Sequence, residues 1–179
     1  MGASIARKAG KGRRDFVLCA DVVFVTYTRS RVYDKEEFHR SLTQSLTDSL
    51  ARVKATSKVA VEIFGSRELH SDGTPHYHVV LRFSARIYWP RARQSLSVWI
   101  VVDGEKVVDT NSINIRKKRR SESVAEFLYS VQTYVAKGGD VFGGWIGGRA
   151  VLARDPVDGL ARTEEYGALT LRGRQHSAK

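Results

Sequence analysis

The sequence predicts an α+β domain in which a strand, a helix, a β-hairpin, several short strands and a second long helix follow one another. Three observations predict it. Val22-Val23-Phe24-Val25-Thr26-Tyr27-Thr28 is dense in β-branched and aromatic residues, as strands are. Two segments, one before and one well after the middle of the chain, repeat apolar residues at helical spacing behind a capping box. Apolar runs on either side of the turn dipeptide Asp72-Gly73 mark an antiparallel pair. With 179 residues the chain has one domain's worth of core and room for tails.

Residues 1–15 hold Arg7, Lys8, Lys11, Arg13 and Arg14 with little apolar content, so a disordered basic arm is expected. Such an arm suits phosphate contact or a nuclear address, and equally a solvated tail. From Val17 the chain turns apolar, and Val22 to Thr28 reads as a central strand buried on both faces. Asp34 then caps a helix over 35 to about 54, with Glu37 at the reciprocal position and Phe38, Leu42, Leu46, Leu50 and Val53 as its core stripe. Val59 to Ile63 reads as the strand that pairs with Val79 to Phe83, and Gly65 as a candidate bulge near its end.

Trp89-Pro90-Arg91-Ala92-Arg93 reads as a short helical turn, since proline is tolerated at a first helical position. Ser97 to Val102 is strand-like, Asp103-Gly104 is a turn, and Val107-Val108 with Ile113-Asn114-Ile115 offers one or two further strands. Ser123 and Glu126 open the last helix, whose stripe is Val124, Phe127, Leu128, Val131 and Val135; Gly138-Gly139 ends it. After Arg149 a short helix from Leu160 to Tyr166 and disorder beyond Leu171 are expected.

Composition narrows the partners. The excess of 30 Lys and Arg over 19 Asp and Glu leaves a net charge of +11, which favours a polyanion, nucleic acid ahead of an anionic membrane surface. No apolar run approaches membrane-spanning length, no signal peptide is visible, and the single Cys19 excludes an internal disulfide. A soluble intracellular protein is expected.

Chemistry concentrates in Glu68-Leu69-His70-Ser71-Asp72-Gly73-Thr74-Pro75-His76-Tyr77-His78. Alternation along a strand sends His76, His78, Val80 and Arg82 to one face and Tyr77, Val79, Leu81 and Phe83 to the other. A turn centred on Asp72 sets Glu68 opposite His76 and diagonal to His78. One carboxylate and two imidazoles in that register suit Mg, Mn or Zn. Paired strand histidines are often merely hydrogen-bonded, and Glu62 is a rival acid; it lies about 20 Å from Glu68 along an extended strand, which favours Glu68.

Three further features accompany that cluster. Thr26-Tyr27-Thr28-Arg29 combines hydroxyls, a ring and a cation suited to stacking bases and holding phosphates. Arg116-Lys117-Lys118-Arg119-Arg120 is a solvated face or a contact to a nucleic-acid backbone. Tyr134 and Lys137 lie three residues apart on one helix side, where Tyr134 is a rim tyrosine of the core or a nucleophile. A phenol is a poor nucleophile at neutral pH. A divalent ion on a scissile phosphate together with the Lys137 ammonium would make its attack feasible, so the metal ligands and the tyrosine explain one another.

Three of these stretches, in order, resemble the HUH-type replication initiators (Rep proteins) of small circular single-stranded DNA viruses, the geminivirus and related fungal-virus branch above all. Phe24-Val25-Thr26-Tyr27 resembles the family's first motif, a strand that contributes to single-stranded DNA recognition. Glu68-Leu69-His70 through Pro75-His76-Tyr77-His78 resembles the second, whose glutamate and histidines bind metal. Tyr134-Val135-Ala136-Lys137 with Gly138-Gly139 resembles the third, whose tyrosine attacks DNA. The likeness covers about residues 16 to 150. It departs at Thr28-Arg29, where the plant-virus pattern has proline, and the chain has no G-x-x-x-x-G-K-[ST] of a helicase.

The resemblance implies an endonuclease domain over 16–150, built on a central antiparallel sheet of about five strands flanked by helices, with 151–179 a tail or linker that supports oligomerisation. It implies a nickase and ligase that starts rolling-circle replication in a host nucleus. Tyr134 would attack single-stranded DNA at a viral origin stem-loop, leaving a covalent 5′-phosphotyrosine and a free 3′-hydroxyl, and a later 3′-hydroxyl would reverse the step. The metal would be Mg or Mn, with Zn a possible occupant, bound by Glu68, His76 and His78. Phe24, Thr26, Tyr27, Arg29, Arg116, Lys117, Lys118 and Arg119 are the expected DNA contacts. The chain is expected to be the nuclease part of a longer protein with a helicase domain, or a natural short form. Rival readings are a non-catalytic nucleic-acid-binding module, in which exposed aromatics stack bases, and a tyrosine transposase or relaxase with the same type of metal site.

Overall fold

The computed structural model describes residues 15–110 and 112–147. The expected tail 151–179, its helix at 160–166 and nearly all of the basic arm lie outside the described residues. The elements run β1 (Leu18–Thr28), α1 (Lys35–Ala51), β2 (Val61–Leu69), β3 (Pro75–Trp89), α2 (Ala92–Ser95), β4 (Trp99–Val102), β5 (Glu105–Val108), β6 (Ser112–Lys117), α3 (Val124–Ala136) and β7 (Val141–Gly143). Five strands make one antiparallel sheet in the order β6-β1-β3-β2-β7, and β4 and β5 form a separate hairpin, so the α+β class stands. No helix among the described residues is long and apolar enough to cross a membrane.

Alternation along the strands gives the main sheet two different faces. Val23, Val25, Tyr27, Tyr77, Val79, Leu81, Ile113 and Ile115 are buried under α1, whose Phe38, Leu42, Leu46 and Leu50 meet them. Phe38 stacks on Tyr77 with ring centroids 3.7 Å apart. On the other face, Val22, Phe64 and Val80 pack beneath Phe127, Leu128, Val131 and Val135 of α3. That second layer covers only part of the face. Past Phe64 and Val80, where β1 ends and β3 begins, the partly open stretch carries Thr26, Glu68, His76 and His78.

Both long helices start where their caps predict. The Asp34 carboxylate accepts from Glu37 N at 2.7 Å, and Ser123 and Glu126 close a full capping box. The first helix stops at Ala51, and Val53, expected in its core stripe, is exposed beyond the C-cap Arg52. The expected short helix begins at Ala92, because Trp89 is still the buried end of β3 and its neighbour Pro90 sits in a turn.

Two expectations about the strands are corrected. Gly65 forms no bulge: it pairs regularly with Val79 and with Phe142, and any Cβ there would run into the Phe142 ring. The register shift lies between β1 and β3 instead, where the single residue Asp21, between Ala20 and Val22, faces four residues, Phe83 to Arg86, of β3. Nor is β1 buried on both faces; Phe24, Thr26 and Thr28 are half-exposed, because α3 covers this face only in part.

Short β7 closes the far edge of the sheet. The Asp140 carboxylate takes Lys35 Nζ at 2.6 Å and Arg67 Nε at 2.8 Å, joining the start of α1, strand β2 and the loop after α3. Gly139, at φ +74°, makes the left-handed turn that leads out of α3. The buried Gln132 side chain brackets the backbone of Ile146, accepting from its N–H at 2.7 Å and donating to its carbonyl at 3.3 Å.

Candidate metal centre and nucleophile

The hairpin loop is centred on Asp72. His70 N donates to Thr74 O and Gly73 N to His70 O, each at 2.9 Å, while the Asp72 carboxylate accepts from Thr74 N and Oγ1. Those two Thr74 bonds, more than the Arg29 guanidinium, bring the Asp72 carboxyl down to about 2. The loop fixes the register that places Glu68 directly opposite His76 and Ser66 opposite His78. Across the other edge of β3, Thr26 lies opposite His78.

Glu68 Oε2 is 3.1 Å from His76 Nε2 and 3.5 Å from His78 Nε2. Metal–ligand bonds of ~2.0–2.2 Å set neighbouring donors roughly 3.0–3.6 Å apart around a tetrahedral or octahedral ion. Glu68 stands at those separations from both imidazoles, and the three donor atoms lie within 4.8 Å of one another, so Glu68, His76 and His78 can hold a metal ion. The rival Glu62 shares their face but is turned to Arg82 at 3.8 Å, away from the imidazoles.

Burial lowers the pKa of His78 from its ordinary value; His76 adds to the shift and Glu68 opposes it. His78 is therefore held as the neutral imidazole that a ligand must be.

The α3 stripe, not its own polarity, brings Tyr134 to this cluster. With Val131 and Val135 anchored beneath the helix, Tyr134 stands at the rim, 49 % exposed, and its hydroxyl is 3.5 Å from His78 Nε2. Phe24 connects the two: its ring stacks on His78 at 5.8 Å and meets Tyr134 edge-on at 5.9 Å. Burial, and then the Glu68 charge, raise the Tyr134 pKa above its ordinary value. A cation beside Glu68 would cancel the second of these causes. Lys137 is the exposed C-cap of α3, and its ammonium makes no hydrogen bond or ion pair among the described residues. It is free to turn toward the phenol one turn earlier.

The expected DNA contacts divide by face. Tyr27 is corrected: it is fully buried under α1, and its hydroxyl donates to Leu96 O at 2.9 Å, because Val23, Val25 and Tyr27 share the face that α1 covers. Thr26 is half-buried against His78. Arg29 is exposed at the end of β1 and paired with Asp72 at 2.8 Å. Arg116 lies opposite Phe24, on the His78 face, with its guanidinium 5.5 Å from the Phe127 ring centre. Lys117 points to the opposite face, and Lys118 donates to the carbonyl oxygens of Glu122 and Arg119. The backbone N–H of Arg119 donates to the Glu122 carboxylate.

Sequence reasoning passed over the Thr26 to His78 bond and the Asp140 junction. Applying two-residue alternation to Val22 to Thr28 places Phe24, Thr26 and Thr28 together and Tyr27 apart, so the first was available. Asp140 follows two glycines with no periodic neighbours and carried no signal. No protein-family model and no curated protein matches the chain.

Proposed function

We propose that the chain is the nicking and joining domain of a rolling-circle replication initiator of the HUH type. The observation that carries the reading is the convergence of the Tyr134 hydroxyl on the imidazole of His78, which itself faces Glu68 and His76, on a part of the sheet open to solvent. A hydroxyl, a set of metal donors and a basic surface are the three requirements for cleaving a nucleic acid by a tyrosine. The net charge of +11 supports a polyanionic substrate.

A divalent ion, Mg or Mn with Zn as a possible occupant, would supply Lewis-acid withdrawal of charge from the scissile phosphate. Tyr134 Oη forms the new bond to phosphorus, giving a 5′-phosphotyrosine, as the bond to the 3′-oxygen breaks. The phenol proton passes to solvent and the 3′-oxygen takes a proton from solvent, so the strand ends in a free 3′-hydroxyl. Lys137 stabilises the phenolate as it forms. Reversal by another 3′-hydroxyl rejoins the strand, and the phosphodiester energy kept in the tyrosyl bond makes ATP unnecessary. Phe24 holds the tyrosine and offers the exposed part of its ring to a neighbouring base. The substrate is single-stranded DNA at a viral origin stem-loop, reached in a host nucleus; the chain is either the nuclease part of a longer protein with a helicase domain or a natural short form, and the C-terminal region would serve oligomer contacts.

The test incubates the protein with labelled origin-type single strands and Mn²⁺. A denaturation-resistant adduct is expected, absent in Tyr134→Phe and greatly weakened in His76→Ala. An adduct that survives Tyr134→Phe removes the tyrosine from the mechanism. Binding without any adduct across the origin panel supports the non-catalytic module, and preference for a transposon-end hairpin supports the transposase.

A further inference from the structure

We infer that Thr26 is the positioning residue for the metal ligand His78, holding the ring orientation in which Nε2 faces Glu68 and Tyr134. The inference rests on reading Glu68, His76 and His78 as a metal centre, and it gives Thr26 a role other than DNA contact.

An imidazole on a strand has two freedoms left once its backbone is fixed. Its plane can tilt, and the ring can turn over to exchange Nδ1 with Cδ2 and Nε2 with Cε1. Phe24 removes the first: it stacks on His78 at an interplanar angle of 8°. Thr26 removes the second. Its Oγ1 lies 3.1 Å from His78 Nδ1, across the register that pairs the two residues directly. In the ligating tautomer Nδ1 carries the proton and donates to that oxygen, leaving the Nε2 lone pair toward Glu68 Oε2 and the Tyr134 hydroxyl, each at 3.5 Å. His78 is only 7 % exposed, so water is a poor substitute partner for Nδ1.

The contrast with His76 sharpens the assignment. The Nδ1 of His76 is buried without a hydrogen-bond partner, and its ring is packed against His70 with centroids 4.4 Å apart. Of the two candidate ligands, only His78 has its second nitrogen held by a side chain, and it is the one that touches the nucleophile. An ordered outer partner fixes a ligating histidine and raises its basicity, and losing one typically costs 10–100-fold in metal affinity.

The test uses Thr26→Val, which keeps the β-branched shape that suits β1, and Thr26→Ser, which keeps the hydroxyl. Calorimetric titration with Mn²⁺ alone is expected to show about a 10–100-fold loss in Thr26→Val and affinity near that of the wild type in Thr26→Ser. In the metal-free protein, ¹H–¹⁵N correlations of the His78 ring are expected to report a single ring orientation, with the ring signals broadened or doubled in Thr26→Val. Wild-type affinity in the valine variant, a serine variant as impaired as the valine, or unchanged ring signals in the valine variant each overturns the inference. Neither readout involves DNA, so failure to nick any origin strand leaves the inference standing. A wild-type protein that binds no Mn²⁺ removes the metal centre and the role of Thr26 together.

Discussion

At the scale of single residues, the two acids of β2 separate cleanly. Glu62 and Glu68 share a sheet face, but Glu62 leans on Arg82 while Glu68 sits between two imidazoles. Glu68→Ala should weaken Mn²⁺ binding by more than the ~10–100-fold that an outer partner costs, whereas Glu62→Ala should leave it unchanged. The reverse order in a titration would move the site. Tyr27 and Phe24 form a second contrast, three residues apart on opposite faces. Tyr27→Phe removes a buried donor from Leu96 O and should cost about 1 kcal/mol of stability without altering single-stranded DNA affinity. Phe24→Ala should weaken that affinity instead. Denaturant unfolding and a binding isotherm on the same two proteins decide it, and a DNA defect in Tyr27→Phe would return that ring to the interface.

At the scale of elements, the site depends on the end of α3 being held against β2. The Asp140 junction does this: its hydrogen bond from Lys35 chiefly, and then that from Arg67, hold the carboxyl below the ordinary carboxylate range. A depressed carboxylate contributes stability above its unfolded pKa of about 3.9, and that contribution is lost as pH falls through the folded value. Asp140→Asn should therefore melt lower than the wild type near neutral pH, with the gap closing below about pH 4. A gap that stays constant with pH would show that the ion pairs are not its source. The elements that were legible in the sequence are those with a local rule. Both long helices announced their starts through their N-cap residues, Asp34 and Ser123, and Asp72-Gly73 centred the hairpin so that Glu68 met His76 as expected. Strand β7 is three residues long and is held by Phe142 filling the space that Gly65 leaves, a pairing no local pattern encodes. Gly65 was misread for the same reason: its missing side chain answers a distant ring, not a bulge. Tyr27 was misassigned because the composition of its strand was weighed without its alternation.

At the scale of the whole molecule, the question is how a net charge of +11 is delivered to one surface. Read as a run, Arg116 to Arg120 looks like a single basic patch, but β6 is the edge strand of the sheet and deals its side chains to both faces. Arg116 shares the face of Phe24, His78 and Tyr134, while Lys117 opposes Val23 on the other side and Lys118 is occupied by carbonyl oxygens. A strand of DNA lying across the site would meet the first and pass the second. Each phosphate contact on single-stranded nucleic acid contributes about 0.7 to the steepness with which log affinity falls with log salt. Arg116→Gln should therefore flatten that dependence by roughly 0.7, and Lys117→Gln should leave it unchanged although it removes the same formal charge. Equal flattening in both variants would mean that the charge acts as a diffuse field, independent of the face on which it stands. No flattening in Arg116→Gln would leave its guanidinium a purely structural cover for Phe127.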